Sequence, residues 1–354
     1  MNRLVILAPN WLGDAVMALP AVRDVRQTVP HAHITVAARP SIAPLFRIVS
    51  DIDDVIVMER RSWREIGSEL RGRGFDTALL LPNSMHAALA SFGAGVPERW
   101  GYDTQLRGAL LTRRIAPPSG LHQVEYYQQL VHALGFPSGP IEPSIAVPSA
   151  VRDIGARTLQ QAGWDRSAAL TALAPGAAYG GAKRWPPQYF AELAGRLARG
   201  RVQCVMIGAP ADAATAEEVA RIYNDEARAF QNRENGGPRT AARHSSSGSR
   251  PIVPLLSLVG QTDLPTLAGV LANCRALVTN DSGAMHLGAA VGVRVTAVFG
   301  PTNERATRPL GDAHIVITNP VWCRPCMLRE CPLDHRCMLG IDASTVAAAA
   351  QRSL

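Results

Sequence analysis

Large aromatic side chains are scarce in this sequence: Phe, Trp and Tyr together make up 5% of it. No array interleaves them with basic residues, which argues against nucleic acid held by base stacking. Long apolar runs are missing too. Nothing approaches the roughly 18 to 20 residues needed to span a bilayer, and the apolar stretch Leu4 to Ala8 is broken by Pro9, Asn10, Gly13 and Asp14 before the core of an export signal is complete. The expectation is a cytoplasmic chain whose first apolar segment is a strand. Cysteine is sparse, six in 354 residues, and without an export signal these are expected to be thiols or metal ligands rather than a disulfide framework. Two phosphate-binding signatures are absent as well, the Gly-Lys-Ser/Thr step of a Walker A loop and the Gly-x-Gly-x-x-Gly spacing of a dinucleotide fold.

What is present is a globular composition, 47% apolar and 18% charged, at a length that predicts about two domains, each with its own core. The net charge of +7 admits anionic partners of several kinds, among them nucleotides, phosphorylated glycans and anionic lipids, without choosing between them. Val-, Ile- and Leu-rich runs at residues 4–8, 33–38, 54–58 and 77–81 alternate with helical spacing at 15–28, 42–48 and 63–71. The pattern restarts after Pro148. Strand-like runs at 170–174, 202–207, 256–259, 276–279 and 293–299 then alternate with helical segments at 187–198, 211–227, 264–272 and 283–291. Such alternation predicts an α/β architecture of two doubly wound, Rossmann-like halves, residues 1–160 and 161–354, joined around 145–167. Parallel sheets bind ligands beyond the carboxyl ends of their strands, so two facing halves would hold a ligand in the cleft between them. Residues 231–251 are crowded with Gly, Ser, Asn and Arg and read as a solvated, mobile insertion.

Four polar loops fall at predicted strand ends. In Pro9 to Asp14, Gly13 permits a tight strand-to-helix passage and Asp14 stands at the helix start, where position alone favours a capping carboxylate and the chemical alternative is a general base. Ala174 to Pro186 carries Gly176, Gly180, Gly181, Lys183 and Arg184. These residues suit either a diphosphate or an ordinary Gly-rich turn with a solvated basic pair. Val278 to His286 runs from strand to helix with Ser282 and Gly283 at an anion-ready helix start, Asp281 able to accept from sugar hydroxyls, and His286 one turn in; helix capping and a buried, satisfied histidine are the plain alternatives. Phe299 to Arg305 is the fourth loop.

Together, PNWLGDAVMALPAV, LAPGAAYGGAKRWP and VTNDSGAMHLGAAVGVRVTAVFGPTN resemble glycosyltransferase family nine, the bacterial lipopolysaccharide heptosyltransferases. Residues 81–102 and 322–338 point to its heptosyltransferase II subgroup. The resemblance implies a GT-B fold and inverting transfer of heptose from ADP-L-glycero-D-manno-heptose onto the first heptose of the lipopolysaccharide inner core. By the same resemblance Asp14 is the general base. Lys183, Ser282, Gly283 and Gly176 lie at the donor diphosphate, Asp281 and His286 at the sugar, Thr262 near adenine and Asp212 near the ribose. No cofactor is implied. The acceptor would be lipid A core at the inner leaflet, approached peripherally by basic residues such as Arg60, Arg61, Arg64 and Arg107. A family member with another acceptor, or a sugar-nucleotide epimerase or binding protein of the same fold, are the rival readings. The C-terminal helix is expected to pack back on the N-terminal domain. Cys323, Cys326, Cys331 and Cys337 place four soft ligands within 15 residues. That spacing would permit a structural zinc as well as packed, reduced thiols.

Overall fold

The computed structural model describes residues 1–59, 62–235 and 253–352. The first half runs β1 (Arg3–Leu7), α1 (Leu12–Met17), α2 (Leu19–Thr28), β2 (His33–Ala38), α3 (Ala43–Phe46), β3 (Asp54–Val57), α4 (Trp63–Arg71), β4 (Thr77–Leu80), α5 (Met85–Gly93), β5 (Glu98–Tyr102), β6 (Arg113–Ile115) and α6 (Gln123–Ala133). After α7 (Ser149–Gln161) the second half runs β7 (Ala169–Ala174), α8 (Pro187–Arg199), β8 (Val202–Met206), α9 (Ala213–Asn235), β9 (Leu256–Ser257), α10 (Leu264–Leu271), β10 (Ala276–Asn280), α11 (Gly283–Ala290), β11 (Arg294–Phe299), α12 (Glu304–Thr307), β12 (Ile315–Thr318), α13 (Arg336–Leu339) and α14 (Ala343–Gln351).

The strand orders are β3-β2-β1-β4-β5-β6 and β12-β11-β10-β7-β8-β9. Both sheets therefore follow one path: the first strand of each half lies centrally, the next two on one side and the last three on the other. All pairings are parallel. This is the doubly wound order that leaves a crevice beside the central strand, between β1 and β4 in one half and β7 and β10 in the other. Parallel strands covered on both faces need apolar residues at every position, and β1 shows why. Leu4 and Ile6 face a core shared with Val22 and Val25, while Val5 and Leu7 face a separate cluster with Ile66, Leu70, Ala87 and Ala90. The first of these cores continues through Met285, Leu287 and Phe299 of the second half, so the two halves share buried apolar contact.

One element packs otherwise than sequence reasoning expects. Helix α14 does not return to the N-terminal half; Val346, Ala347 and Ala350 close a core with Trp185, Phe190 and Leu197 of the second half. Its alanine-rich face suits close approach to α8. Helix α7, within the segment expected to join the halves, lies against α10 in backbone contact. A Cβ added to Gly155 would sit 2.1 Å from the carbonyl carbon of Gly269, and one added to Gly269 2.2 Å from Val151 O. Helix α9 extends to Asn235, into the segment whose composition reads as insertion; the remainder of that insertion, residues 236–251, lies outside the described residues.

Candidate active site

In the first half, the chain leaves β1 through Pro9, Asn10 and Trp11 and enters α1, whose N-cap is Trp11. Asp14 is thus in the first turn and not at the cap, which disposes of the capping alternative. It lines a cavity of about 280 Å³ with Asn10, Trp11, Asn83, Tyr126 and Tyr127 at the crevice between β1 and β4. The Tyr127 hydroxyl stands 3.4 Å from Asp14 Oδ1, a long hydrogen bond. Burial raises the Asp14 carboxyl above the usual aspartate range, and the Tyr127 hydroxyl and the charge of Lys183 oppose that rise without cancelling it. The result is an acid of enhanced basicity beside a concave surface.

The corresponding crevice of the second half lies between β7 and β10. Lys183 Nζ reaches Asp281 Oδ2 at 2.5 Å, and the Thr302 hydroxyl donates to the same oxygen at 2.6 Å. Both charged side chains are largely removed from solvent, 13% and 6% exposed. Lys183 also lies 4.7 Å from the Tyr179 ring centroid. Asn280, wholly buried at the end of β10, holds this loop in place. Its amide nitrogen donates to Pro175 O at 2.8 Å and Gly176 O at 3.2 Å, and its oxygen accepts from Trp185 N at 3.0 Å. Ser282 occupies the N-cap of α11 but makes no cap bond, its hydroxyl being 3.1 Å from that of Thr279. His286 is buried, and loss of solvent lowers its pKa to about 4, so the imidazole is neutral at pH 7.

The two crevices are brought together by α1 and α11, which cross at glycines. A Cβ on Gly13 would lie 2.9 Å from His286 Cδ2, and one on Gly283 2.9 Å from Leu12 Cβ. Only glycine allows this approach. Farther along the second sheet, Asp212 accepts from Ala209 N at 2.9 Å and fills the space above Gly176, where a Cβ would meet its carboxylate carbon at 2.1 Å. Gly260, at a φ of +73°, donates to Gly208 O at 2.9 Å and so ties the loop after β9, which leads on to Thr262, to the end of β8. Asp14, Lys183, Asp281, Ser282, Gly283 and His286 thus converge where the halves meet, and Gly176, Asp212 and Thr262 extend the same edge outward.

The segment containing the four clustered cysteines braces the glycine–lysine loop. Tyr179 donates to Met327 O at 2.8 Å, Ala182 N to Arg329 O at 2.9 Å and Gly181 N to Glu330 Oε1 at 3.0 Å, while His335 Nε2 stands 2.7 Å from Ala182 O. Cys323, Cys326, Cys331 and Cys337 are free thiols ranging from exposed to buried. Burial and the three neighbouring thiols push the Cys337 thiol up. Among the described residues no three His, Cys, Asp or Glu side chains are arranged to hold a metal ion.

A second correction concerns Arg107, expected at an acidic surface. It is fully buried, donating to Tyr102 O at 2.9 Å, to Pro82 O, and to Asn83 Oδ1 at 3.4 Å. Arg107 thereby fixes the turn after β4, and its burial lowers its pKa. Arg64 is exposed and lies over the Trp63 ring, 4.7 Å from its centroid; Arg60 and Arg61 lie outside the described residues. Sequence reasoning missed Tyr127, Asn280 and Thr302 as site residues. Thr302 was reachable from its loop, but Tyr127 sits five residues into a helix whose only local signal is the His122–Glu125 capping box.

A family model described as glycosyltransferase family 9 (heptosyltransferase) matches residues 63–233 and 236–336. The chain belongs to glycosyltransferase family 9. This glycosyltransferase is 29% identical over 331 residues to lipopolysaccharide heptosyltransferase 2 of Escherichia coli strain K12, covering 89% of this chain and 87% of that one. It is 28% identical to lipooligosaccharide heptosyltransferase 2 of Haemophilus influenzae over 89% and 88% of the two chains. The solved structure of E. coli ADP-heptose LPS heptosyltransferase II superposes with a TM-score of 0.81 at 27% identity, covering 100% of this chain and 98% of that one. A family 9 glycosyltransferase from Veillonella parvula shares the fold, with a TM-score of 0.79 at 21% identity over 99% and 97%. The GT-B fold, two Rossmann-like halves around a cleft, is that of the glycosyltransferase described above. No helix among its described residues is long and apolar enough to cross a membrane.

Proposed function

We propose that this glycosyltransferase moves heptose from ADP-L-glycero-D-manno-heptose onto a heptose of the lipopolysaccharide inner core, inverting the anomeric carbon. The observation that carries the reading is the meeting of Asp14, raised in basicity by burial, with the Lys183 charge across the α1–α11 contact. In this mechanism the acceptor hydroxyl sits in the Asp14 cavity. Its oxygen attacks the anomeric carbon while its proton passes to the Asp14 carboxylate; the bond from that carbon to the diphosphate breaks, and ADP leaves. Negative charge grows on the departing diphosphate. Lys183 and the unpaired amides at the start of α11 are oriented before reaction and stabilise that charge without reorganising.

Asp281 and His286 hold heptose hydroxyls in this scheme, with Asp281 also fixing the Lys183 ammonium. Asp212 and Thr262 lie outward along the β7–β9 edge, where a nucleoside attached to that diphosphate would extend. Neutral His286 can donate or accept a hydrogen bond without adding charge near the sugar. The lysine and helix amides supply the positive charge the leaving group needs, so the reaction is proposed to run without a resident metal ion; turnover should survive removal of divalent cations by chelator. The protein would act in the cytoplasm on a lipid-anchored acceptor at the inner leaflet. The deciding experiment is incubation of purified protein with ADP-heptose and a set of truncated core acceptors, read by mass spectrometry. Addition of one heptose to a heptose-terminated acceptor supports the reading. Failure with every acceptor, or epimerised donor in the absence of acceptor, removes it.

A further inference from the structure

A second, larger cavity of about 750 Å³ opens at the carboxyl ends of β1, β2 and β3, on the α4 and α5 side of the first sheet. Its size is that of a ligand site, and its place is where open parallel sheets bind ligands. It adjoins the Asp14 cavity, Asn10, Pro82 and Ser84 lining both. Its remaining polar lining includes Arg39, Ser41, Glu59 and His86.

Arginines that serve this fold are engaged by it. Arg107 is buried among carbonyls, Arg26 pairs with Asp53 at 2.5 Å, and Arg324 pairs with Glu304 at 2.9 Å. Arg39 differs: it is exposed at the cavity, and among the described residues its guanidinium makes no ion pair or hydrogen bond. A planar fork of donors left open beside a cavity matches a carboxylate or phosphate, and His86 adds a second donor from the first turn of α5. Glu59, on the same wall, can only accept when ionised and suits hydroxyl groups. The combination fits a polyhydroxylated acid better than a bare inorganic anion.

We propose that this cavity is the subsite for an acidic group of the acceptor, a carboxylate or phosphate on the saccharide next to the one that reacts, held by Arg39 and His86 and oriented by Glu59. The inference rests on the transferase reading above, and it places the acceptor chain along a path from Asp14 past Asn10 and Ser84 to Arg39. Arg107, by fixing the turn that carries Pro82 and Ser84, sets the junction between the two cavities.

The test uses wild type, Arg39→Gln, Arg39→Lys and His86→Gln with three acceptors: the intact acidic glycan, its carboxyl-reduced form and its dephosphorylated form. Donor is kept saturating. Arg39→Gln should raise KM for the intact acceptor by about 10-fold or more, the scale of a lost charge-assisted hydrogen bond. That increase should be much larger than any change in kcat, and Arg39→Lys should recover part of it. The modification that abolishes the difference between wild type and Arg39→Gln identifies the anion. A penalty that persists on both modified acceptors, or no penalty on the intact one, overturns the subsite. Calorimetric binding of the intact and modified acceptors to wild type and Arg39→Gln separates this result from failure of the transferase reading. Absence of turnover by wild type would sink that reading alone, whereas equal acceptor binding by wild type and variant would sink the subsite.

Discussion

The Gly13→Ala substitution tests the α1–α11 contact on which the convergence of the two halves depends. An added Cβ would lie 2.9 Å from His286 Cδ2, whereas carbon atoms settle at about 3.5–4.0 Å, so the helices must separate by roughly 0.6–1 Å or the imidazole must move. His286 is 6% exposed and packed within the interface, which leaves the helix to yield. Asp14 is the next residue and would shift with α1, while Lys183 and Asp281, anchored by Asn280 and Thr302 in the second half, would not. A misplacement of about 1 Å at a reacting group can lower turnover about 100-fold, and overpacking of this kind costs about 1–3 kcal/mol in stability. The expected outcome is therefore kcat reduced by about two orders of magnitude, ADP affinity by calorimetry close to wild type, and a melting temperature lowered by a few degrees. Gly195→Ala provides the comparison, since nothing lies within 4 Å of its added Cβ in α8; it should leave kcat unchanged and stabilise by roughly 0.5–1 kcal/mol. Normal turnover by Gly13→Ala would refute the argument that this crossing positions the base.

Asp14→Asn should abolish turnover while retaining donor binding, measured by product formation and calorimetry; turnover near wild type would remove Asp14 as the base. The Asp14 carboxyl is raised by burial, so the rate should be retained at pH values above that raised pKa and lost as pH falls through it, with an acid limb above the ordinary aspartate value. Tyr127→Phe removes a hydrogen bond that lowers the Asp14 pKa, so the acid limb of kcat/KM should move to higher pH; an unmoved limb would show that the 3.4 Å contact does not tune the base. Lys183→Met leaves Asp281 buried with only the Thr302 hydroxyl donating to its paired oxygen and should destabilise by about 3–5 kcal/mol in denaturant unfolding, as well as weakening donor binding. Adding Asp281→Asn should restore much of the stability but not the donor affinity.

The architecture was legible because parallel strands buried on both faces must be apolar throughout, and runs such as Leu4 to Ala8 and Val202 to Ile207 carry that requirement in local sequence. The loops at strand ends were legible for a related reason: Gly13, Gly176 and Gly283 interrupt strong periodicity with residues chosen for backbone approach. Weaker elements escaped. β5 mixes Glu98 and Arg99 into its strand, and β6 is three residues long with two exposed arginines, so neither carries the apolar signature of a central strand.

Sequence alone determined that there are two doubly wound halves, where their ligand-facing loops begin, and which charged residues those loops contain. Only the tertiary structure decided which of these residues meet. It turned Arg107 inward as a structural support, left Arg39 open at a cavity, moved α14 onto its own half and brought Tyr127 to Asp14 across 113 positions. The physical reason is range. Strand burial and turn geometry are written in neighbouring residues, whereas the protonation of Asp14 and the partners of each arginine depend on solvent exclusion and charges contributed by distant segments.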